Sequence, residues 1–292
     1  PGISIEADFR KAFIILLIPS LLNSAVGQVN LLVNKSFASG TIDAAVTYLN
    51  NASMIVSIPN AIYASTLVTI IFTLMSEQVS NEQTFKNTFF RGMELSLITL
   101  LPIAIGMLIV GDSLISFIFE RGKYSAEDTH QTYHALLWYT PTIVFQGMQL
   151  ILSKSMYARG KTSIVFRISI TTIVLNFLLN WLLVDKFGYL ALAFSASIVS
   201  AYYFIVSMSV VYKDLGVLEL KRFFIMGWKI VISSTIMGLI LFAVKMLLPF
   251  NGMLALLQLF VLTAFGVVIY ALCLKVFYPV GFTRIKELKK NK

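Results

Sequence analysis

The sequence predicts an all-α polytopic membrane protein with about eight transmembrane helices. Of its 292 residues, 58% are hydrophobic and 13% are charged, and the mean hydropathy is +0.83. A soluble domain carries about 25% charged residues, so this chain could not cover its surface in water. Apolar stretches of about 20 residues, the length that crosses the hydrocarbon core, recur along the chain and are separated by short polar segments.

Eight stretches are long and apolar enough to be predicted as membrane spans. In chain order they are residues 12–37, 44–75, 93–110, 133–157, 164–184, 189–212, 224–248 and 253–277. Residues 113–120, between the third and fourth spans, are too few to cross the bilayer, and we predict an interfacial turn of helix there.

The lysines and arginines between the spans predict the orientation. Fourteen would lie on one side: Arg10, Lys11, Lys86, Arg91, Arg159, Lys161, Lys213, Lys221, Arg222, Arg284, Lys286, Lys289, Lys290 and Lys292. Four would lie on the other: Lys35, Arg121, Lys123 and Lys186. Because cytoplasmic loops carry the excess of basic residues, the first side is predicted to be cytoplasmic, together with both termini. The net charge of +9 is thus read as a topology signal rather than as a nucleic-acid surface.

Four prolines lie inside predicted spans: Pro19, Pro59, Pro102 and Pro141. Each removes a backbone donor and bends its helix. Ordinary helix bending and a flexing, cavity-lining helix, as in transporters, are both compatible with this pattern. The chain begins Pro1-Gly2, without methionine, and we expect it to be part of a longer protein.

The first two spans are unusually rich in amides and hydroxyls. Asn23, Asn30 and Asn34 are seven and four residues apart and therefore share one helical face. Small polar groups in membrane helices either bond neighbouring helices together or line a wet cavity. Two adjacent amide-rich helices favour the cavity, with the candidate residues Asn23, Gln28, Asn30, Asn34, Lys35, Asn50, Asn51, Ser53 and Ser57.

The fifth span carries a second polar pair, Asn176 and Asn180, whose spacing stacks two amide oxygens on one face. With Ser195 or Ser197 of the next span they could ligate a hard cation such as sodium, which prefers oxygen. No carboxylate is present, and a packing pair is the alternative. His130 and His134 have helical spacing but no third ligand nearby, which argues against zinc.

Motifs of soluble catalysis are missing: the chain has no Walker loop, no GxSxG and no HExxH. We therefore expect a transporter rather than an enzyme, and not an ATP-driven pump. No cofactor is expected, apart from sodium as a possible coupling ion.

Several runs resemble the MurJ/MviN family of lipid II flippases. The first family segment that this chain resembles covers Asn34-Lys35-Ser36-Phe37-Ala38-Ser39-Gly40, followed by Tyr48 and by Ile58-Pro59. The F-x-R-G-x-F loop of the family is similar to Phe119-Glu120-Arg121-Gly122-Lys123-Tyr124-Ser125 with Asp128-Thr129. Tyr157-Ala158-Arg159 with Lys161-Thr162, and the segment 188–197, resemble two later ones. The matches occur in family order over most of the chain.

The resemblance implies the C-terminal portion of a two-lobed, fourteen-helix flippase fold of the multidrug/oligosaccharidyl-lipid/polysaccharide exporter superfamily. Residues 1–220 would form a six-helix bundle of the transporter core. Residues 221–292 would add two helices that form a groove for a lipid tail, and a basic cytoplasmic tail. Asn176 and Asn180 would fall at two of the sodium positions of some members, with Asn34 or Asn30 as the candidate ligand from the first span. Met54 stands where the family often has a cavity-facing arginine, and Thr162-Ser163 lacks the family proline.

The resemblance also implies a function and a location. The protein would translocate lipid II, the undecaprenyl-pyrophosphate-linked peptidoglycan precursor, from the cytoplasmic to the outer leaflet of the bacterial inner membrane by alternating access. Its partners would be lipid II, membrane lipids and the missing N-terminal lobe. No nucleic acid would be among its partners. The alternatives are a polysaccharide-repeat flippase or drug/cation antiporter of the same superfamily, and a membrane scaffold whose polar residues only pack.

Overall fold

The computed structural model describes residues 28–29, 31–215, 217–247 and 255–283. These residues form helices and short connections, and no strand occurs among them. The described parts of helix α1 are residues 28–29 and 31–39. The others are α2 (Ala45–Tyr63), α3 (Thr69–Glu77), α4 (Glu82–Phe119), α5 (Ala126–Tyr139), α6 (Pro141–Ala158), α7 (Thr162–Phe187), α8 (Leu190–Leu215), α9 (Val217–Leu247) and α10 (Ala255–Phe277).

The helices agree with the predicted membrane class. Six are long and apolar enough to cross a membrane, or seven if the bent pair α5–α6 is one span. Most of the first predicted span, including Pro19 and Asn23, lies outside the described residues. The second span is α2 and α3, joined without a break by a π-helical turn, Ala64–Val68. Pro59 lies inside α2, five residues before this turn.

The prediction for residues 113–120 was wrong. Helix α4 runs unbroken through 38 residues to Phe119, so this segment extends the third span. The last turns of this helix pack into the core, where Ile115 is fully buried. It ends where Glu120 leaves the helical conformation and Gly122 takes a positive φ of 65°, a backbone region that glycine adopts without steric cost.

The fourth predicted span is divided. Helices α5 and α6 meet at an angle of 42°, and Pro141 is the first residue of α6. Proline suits this position because its fixed φ is helical and its missing N–H would be unpaired there. The Thr140 hydroxyl, which is buried, donates to the carbonyl of Leu136 and so remains satisfied at the bend.

Helix α4 is the centre of the bundle and packs against α5, α6, α9 and α10, while α7 packs on α8 and α8 on α6. The core contains large, fully buried side chains of α4, among them Phe85, Phe89 and Ile98. A second, smaller apolar cluster, which includes Ile109 and Leu241, joins α9 and α10 to α4. The division into a core of residues 1–220 and an added pair 221–292 stays a prediction.

The outward faces of α7 and α10 are apolar. Trp181 is 61% exposed and Phe260 is 72% exposed. Such surfaces suit contact with lipid tails rather than with water.

Thiol labelling can test the predicted orientation. In a chain whose one cysteine is replaced, Cys273→Ala, a cysteine at Lys123 is expected to react with an impermeant reagent added outside the cell. A cysteine at Ser80 is expected to react only after permeabilisation, since the α3–α4 connection is predicted to be cytoplasmic. Both positions are exposed. Labelling of Ser80→Cys alone in intact cells would reverse the topology.

Candidate functional site

A polar cavity of about 210 Å³ lies between α1, α2, α5, α6 and α8. Four of the residues predicted to face a cavity line it, namely Asn34, Lys35, Asn50 and Ser53. Asn34 and Lys35 reach it from α1, and Asn50 and Ser53 reach it from α2, whose Ala52 and Ile55 are buried in the core. The cavity lining combines neutral amides and hydroxyls with small and aliphatic side chains, and Lys35 is the one cation among its described lining residues.

The other predicted cavity residues are placed differently. Ser57 is exposed and its hydroxyl donates to the carbonyl of Met54, while Asn51 is partly buried; neither lines this cavity. Gln28 is exposed on the described start of α1. Asn23 and Asn30 lie outside the described residues.

Two polar residues of this cavity were missed by the sequence analysis, Tyr139 and Gln146. They belong to the bent pair α5–α6, which was predicted as one ordinary span. The signal available was a glutamine inside an apolar run, five residues after a proline. Asn60 of α2 reaches Gln146, its Nδ2 lying 3.4 Å from Oε1, and the Asn60 Oδ1 atom is buried without a partner among the described residues.

Gly147 explains how α6 comes so close to α4 beside this cavity. A Cβ atom there would lie 1.9 Å from Cδ1 of Leu100 and 3.2 Å from Oδ1 of Asn60. A larger side chain would therefore push on both Leu100 and Asn60. The close approach keeps Gln146, its neighbour, at the cavity wall.

The amide pair of α7 is buried, and it joins α1. Asn180 Nδ2 lies 3.0 Å from Oδ1 of Asn176 and 2.8 Å from Oδ1 of Asn34. Both asparagines of α7 are almost fully buried, and the Asn180 Oδ1 has no partner among the described residues. A buried acceptor normally requires a donor or a cation, because desolvation without compensation is costly.

The two serines proposed for the same ion site behave differently. The Ser195 hydroxyl is fully buried and has no partner in the described structure. The Ser197 hydroxyl donates to the backbone carbonyl of Trp138, which joins α8 to α5. Within the described residues, no group of three or more His, Cys, Asp or Glu side chains could hold a metal. Any ion here would be a hard cation bound by neutral oxygens.

The motif residues around Asp128 fasten the helices at the end predicted to face outward. The Tyr48 hydroxyl donates to Asp128 Oδ1 over 2.6 Å, which ties α2 to α5. Asp128 Oδ2 accepts from the backbone N–H of Ser125 over 2.8 Å, which completes a capping box at the start of α5. Thr129 donates to Glu120 across the α4–α5 connection. These residues hold the frame of the cavity and do not line it.

An apolar groove of about 410 Å³ runs between α4, α9 and α10. Its lining is almost entirely aliphatic, with Gly106 and Gly266 as the small residues and Tyr270 at its inner end. A Cβ at Gly106 would meet nothing within 4 Å, so this glycine leaves open space. At the outer end, Lys245 Nζ lies 2.7 Å from Asp112 Oδ2 and fixes α9 to α4.

Comparison with known proteins places these features in a family. The sequence profile described as "Lipid II flippase MurJ" matches residues 4–276. A "Probable lipid II flippase MurJ" of Buchnera aphidicola (subsp. Acyrthosiphon pisum) is 26% identical over 77% of this chain and 45% of the relative. The corresponding protein of Vibrio cholerae is 25% identical over 71% of this chain and 40% of the relative. The chain spans about half the length of the curated relatives it matches.

Solved structures share the fold. One described as "Lipid II flippase MurJ, inward closed conformation" superposes with a TM-score of 0.78 at 20% identity, over 95% of this chain and 57% of that one. An outward-facing "multidrug resistance MATE family transporter of the MOP superfamily" gives a TM-score of 0.62 at 14% identity, over 94% of this chain and 68% of that one.

Proposed function

Because this chain belongs to the lipid II flippase MurJ family, we propose that it forms the C-terminal lobe of a transporter that moves lipid II from the cytoplasmic to the outer leaflet of the bacterial inner membrane. Lipid II joins a polar disaccharide-peptide to an undecaprenyl tail through a pyrophosphate. A protein that moves it must therefore offer a polar path for the head and an apolar path for the tail.

The observation that carries the proposal is the presence of both surfaces in one lobe. The polar cavity between α1, α2, α5, α6 and α8 offers hydrogen-bonding groups to sugars and peptide. The groove of α4, α9 and α10 offers an almost purely apolar channel at membrane depth. The two are built on different helices, so head and tail can follow separate routes.

The helices around the cavity have the interruptions expected of a protein that alternates between two open states. Helix α2 contains Pro59 and passes into the π-helical turn Ala64–Val68. The pair α5–α6 bends by 42° at Pro141. Prolines and π turns mark places where membrane helices bend, and π turns are frequent at functional sites. We propose that this lobe rocks against a second lobe to give alternating access.

We also propose sodium as the coupling ion, held by Asn34, Asn176 and Asn180. Support comes from the unpartnered, buried Oδ1 of Asn180 and from its contact with α1. An ion that joins α1 to α7 would change the position of a cavity helix, which is how binding could be coupled to movement.

The rival reading is a drug/cation antiporter or a polysaccharide-repeat flippase of the same superfamily. The structural likeness to MATE transporters supports a shared architecture but gives a lower TM-score than the MurJ structure, 0.62 against 0.78. The family match over residues 4–276 favours the lipid II substrate.

A groove-filling variant tests the proposal in proteoliposomes that contain the full-length protein and fluorescent lipid II. Gly106→Leu is expected to slow flipping by about 15-fold, since displacing two methylene groups of the tail costs about 1.6 kcal/mol. The open space around Gly106 lets the leucine enter without displacing the backbone.

Two matched variants control for general damage. Gly106→Ala adds little volume and is expected to flip at nearly the wild-type rate. Leu239→Phe enlarges a side chain of α9 that is 65% exposed and does not line the groove. Wild-type protein that moves a polysaccharide-linked lipid but not lipid II would refute the proposed substrate. An unchanged flipping rate in Gly106→Leu would show that the lipid tail does not pass through the apolar groove.

A further inference from the structure

A second polar region lies at the ends of α4, α9 and α10 that are predicted to face the cytoplasm. The Lys245–Asp112 salt bridge lies at the opposite ends of α4 and α9. Two adjoining cavities of about 410 Å³ each share Arg222 and Tyr278. Arg91 and Glu94 of α4 line one of them, and Lys221 and Lys229 of α9 line the other. We refer to the pair as the basic cavity.

The charges of the basic cavity are unbalanced. Its described lining holds four cationic side chains, Arg91, Lys221, Arg222 and Lys229, and one carboxylate, Glu94. Glu94 is 2% exposed and already accepts a hydrogen bond from the Tyr278 hydroxyl. Lys229 Nζ stands 5.8 Å from the centre of the Tyr278 ring. Lys221 and Lys229 make no salt bridge to an acidic residue in the described part of the chain. The site therefore suits an anion.

The surroundings of the basic cavity are apolar and exposed. Trp228 is 68% exposed, Phe224 66% and Val280 55%. Exposed tryptophan and a cluster of lysine and arginine at helix ends are typical of the membrane–water interface. The basic cavity lies at the end that the loop charges predict to be cytoplasmic. Its mouth would then be at head-group level, within reach of a lipid in the inner leaflet.

We propose that the basic cavity binds the phosphate head group of an anionic glycerophospholipid from the cytoplasmic leaflet. Basic pockets between membrane helices on that side are suited to such head groups. The lining comes from α4, α9 and the residues that directly follow α10, Tyr278 and Val280, whereas the polar cavity is built from other helices. A bound phospholipid would hold α9 and α10 against α4.

The test compares lipid retention by native mass spectrometry of the full-length protein, using phosphatidylglycerol and phosphatidylcholine with the same acyl chains. Wild-type protein is expected to retain phosphatidylglycerol preferentially. The double variant Lys221→Gln with Lys229→Gln is expected to lose about 25-fold of this preference, because each lysine near an anionic head group contributes about a fivefold factor. Both lysines are exposed, so the substitutions leave the core intact.

The matched control is Lys213→Gln with Lys275→Gln. It removes the same charge at the same end of the bundle, from exposed lysines that do not line the cavity. Loss of preference only in the cavity variant supports the proposal. Equal loss in both variants would show a general surface-charge effect and overturn it, as would equal retention of the two lipids by wild type. Loss of lipid II retention in the cavity variant with phosphatidylglycerol unchanged would assign the cavity to the substrate instead. None of these readouts depends on flipping.

Discussion

Replacing Asn176 and Asn180 together by leucine is expected to abolish the sodium dependence that we propose for transport by the full-length protein. The double variant removes two amide oxygens from a buried cluster in which Asn180 also contacts Asn34 of α1. Two oxygen ligands at about 1.5 kcal/mol each correspond to a loss of sodium affinity of about 100-fold. The measurement is the initial rate of lipid II flipping as a function of sodium, with choline as the replacing cation.

A variant of opposite effect sharpens this test. Asn180→Asp keeps the shape of the side chain and adds a negative charge, which is expected to tighten sodium binding and to lower the sodium concentration that gives half the maximal rate. If Asn176 and Asn180 only pack between helices, neither variant changes the response of transport to sodium. Sodium dependence would then stay as in wild type, while the thermal stability of the leucine variant would change.

Hydropathy predicted the six or seven candidate membrane spans found among the described residues, because about 20 apolar residues have few alternatives to a membrane helix. Helix ends were predicted less well. The third span was cut short at Val110 because Gly111, Asp112 and Ser113 interrupt the apolar run. In the structure Asp112 forms a salt bridge with Lys245 of α9, which compensates its charge within the bundle. The helix continues past Asp112 to Phe119. A partner 133 residues away is invisible to a local window.

The cavity was predictable in kind but only in part by residue. Asn34 and Lys35 of α1 and Asn50 and Ser53 of α2 line it, whereas Asn51 is partly buried and does not. Amide content alone does not fix the rotation of a helix. The basic cavity escaped prediction for a related reason. Arg91, Arg222 and their neighbours were read one by one as topology signals, and only the packing of α9 on α4 brings them together.

Lipid II is expected to bind this chain alone at least 100-fold more weakly than it binds the full-length transporter. The polar cavity presents neutral amides and one described cation, Lys35. Met54, the position at which the resemblance to the family implies an arginine, is 58% exposed on α2. Each charge-assisted hydrogen bond to a buried anion is worth about 1.5–3 kcal/mol, so the loss of two such partners accounts for the predicted difference. We propose that these cationic partners belong to the second lobe.

A gain-of-function variant accompanies this comparison. Met54→Arg in the chain alone adds a cation beside Ser53 and is expected to recover about tenfold of the affinity, which corresponds to one charge-assisted hydrogen bond. Met54→Leu is the matched control and is expected to recover none.

The measurement is native mass spectrometry of lipid II binding in nanodiscs, carried out on the chain alone and on the full-length protein, after both are shown to be inserted and monodisperse. A difference of at least 100-fold, reduced by Met54→Arg, is the predicted result. Equal affinity in the two proteins would contradict the account. It would place the pyrophosphate site within this lobe, and Lys35→Gln and the Lys221→Gln, Lys229→Gln pair would then show which of its two polar cavities holds it.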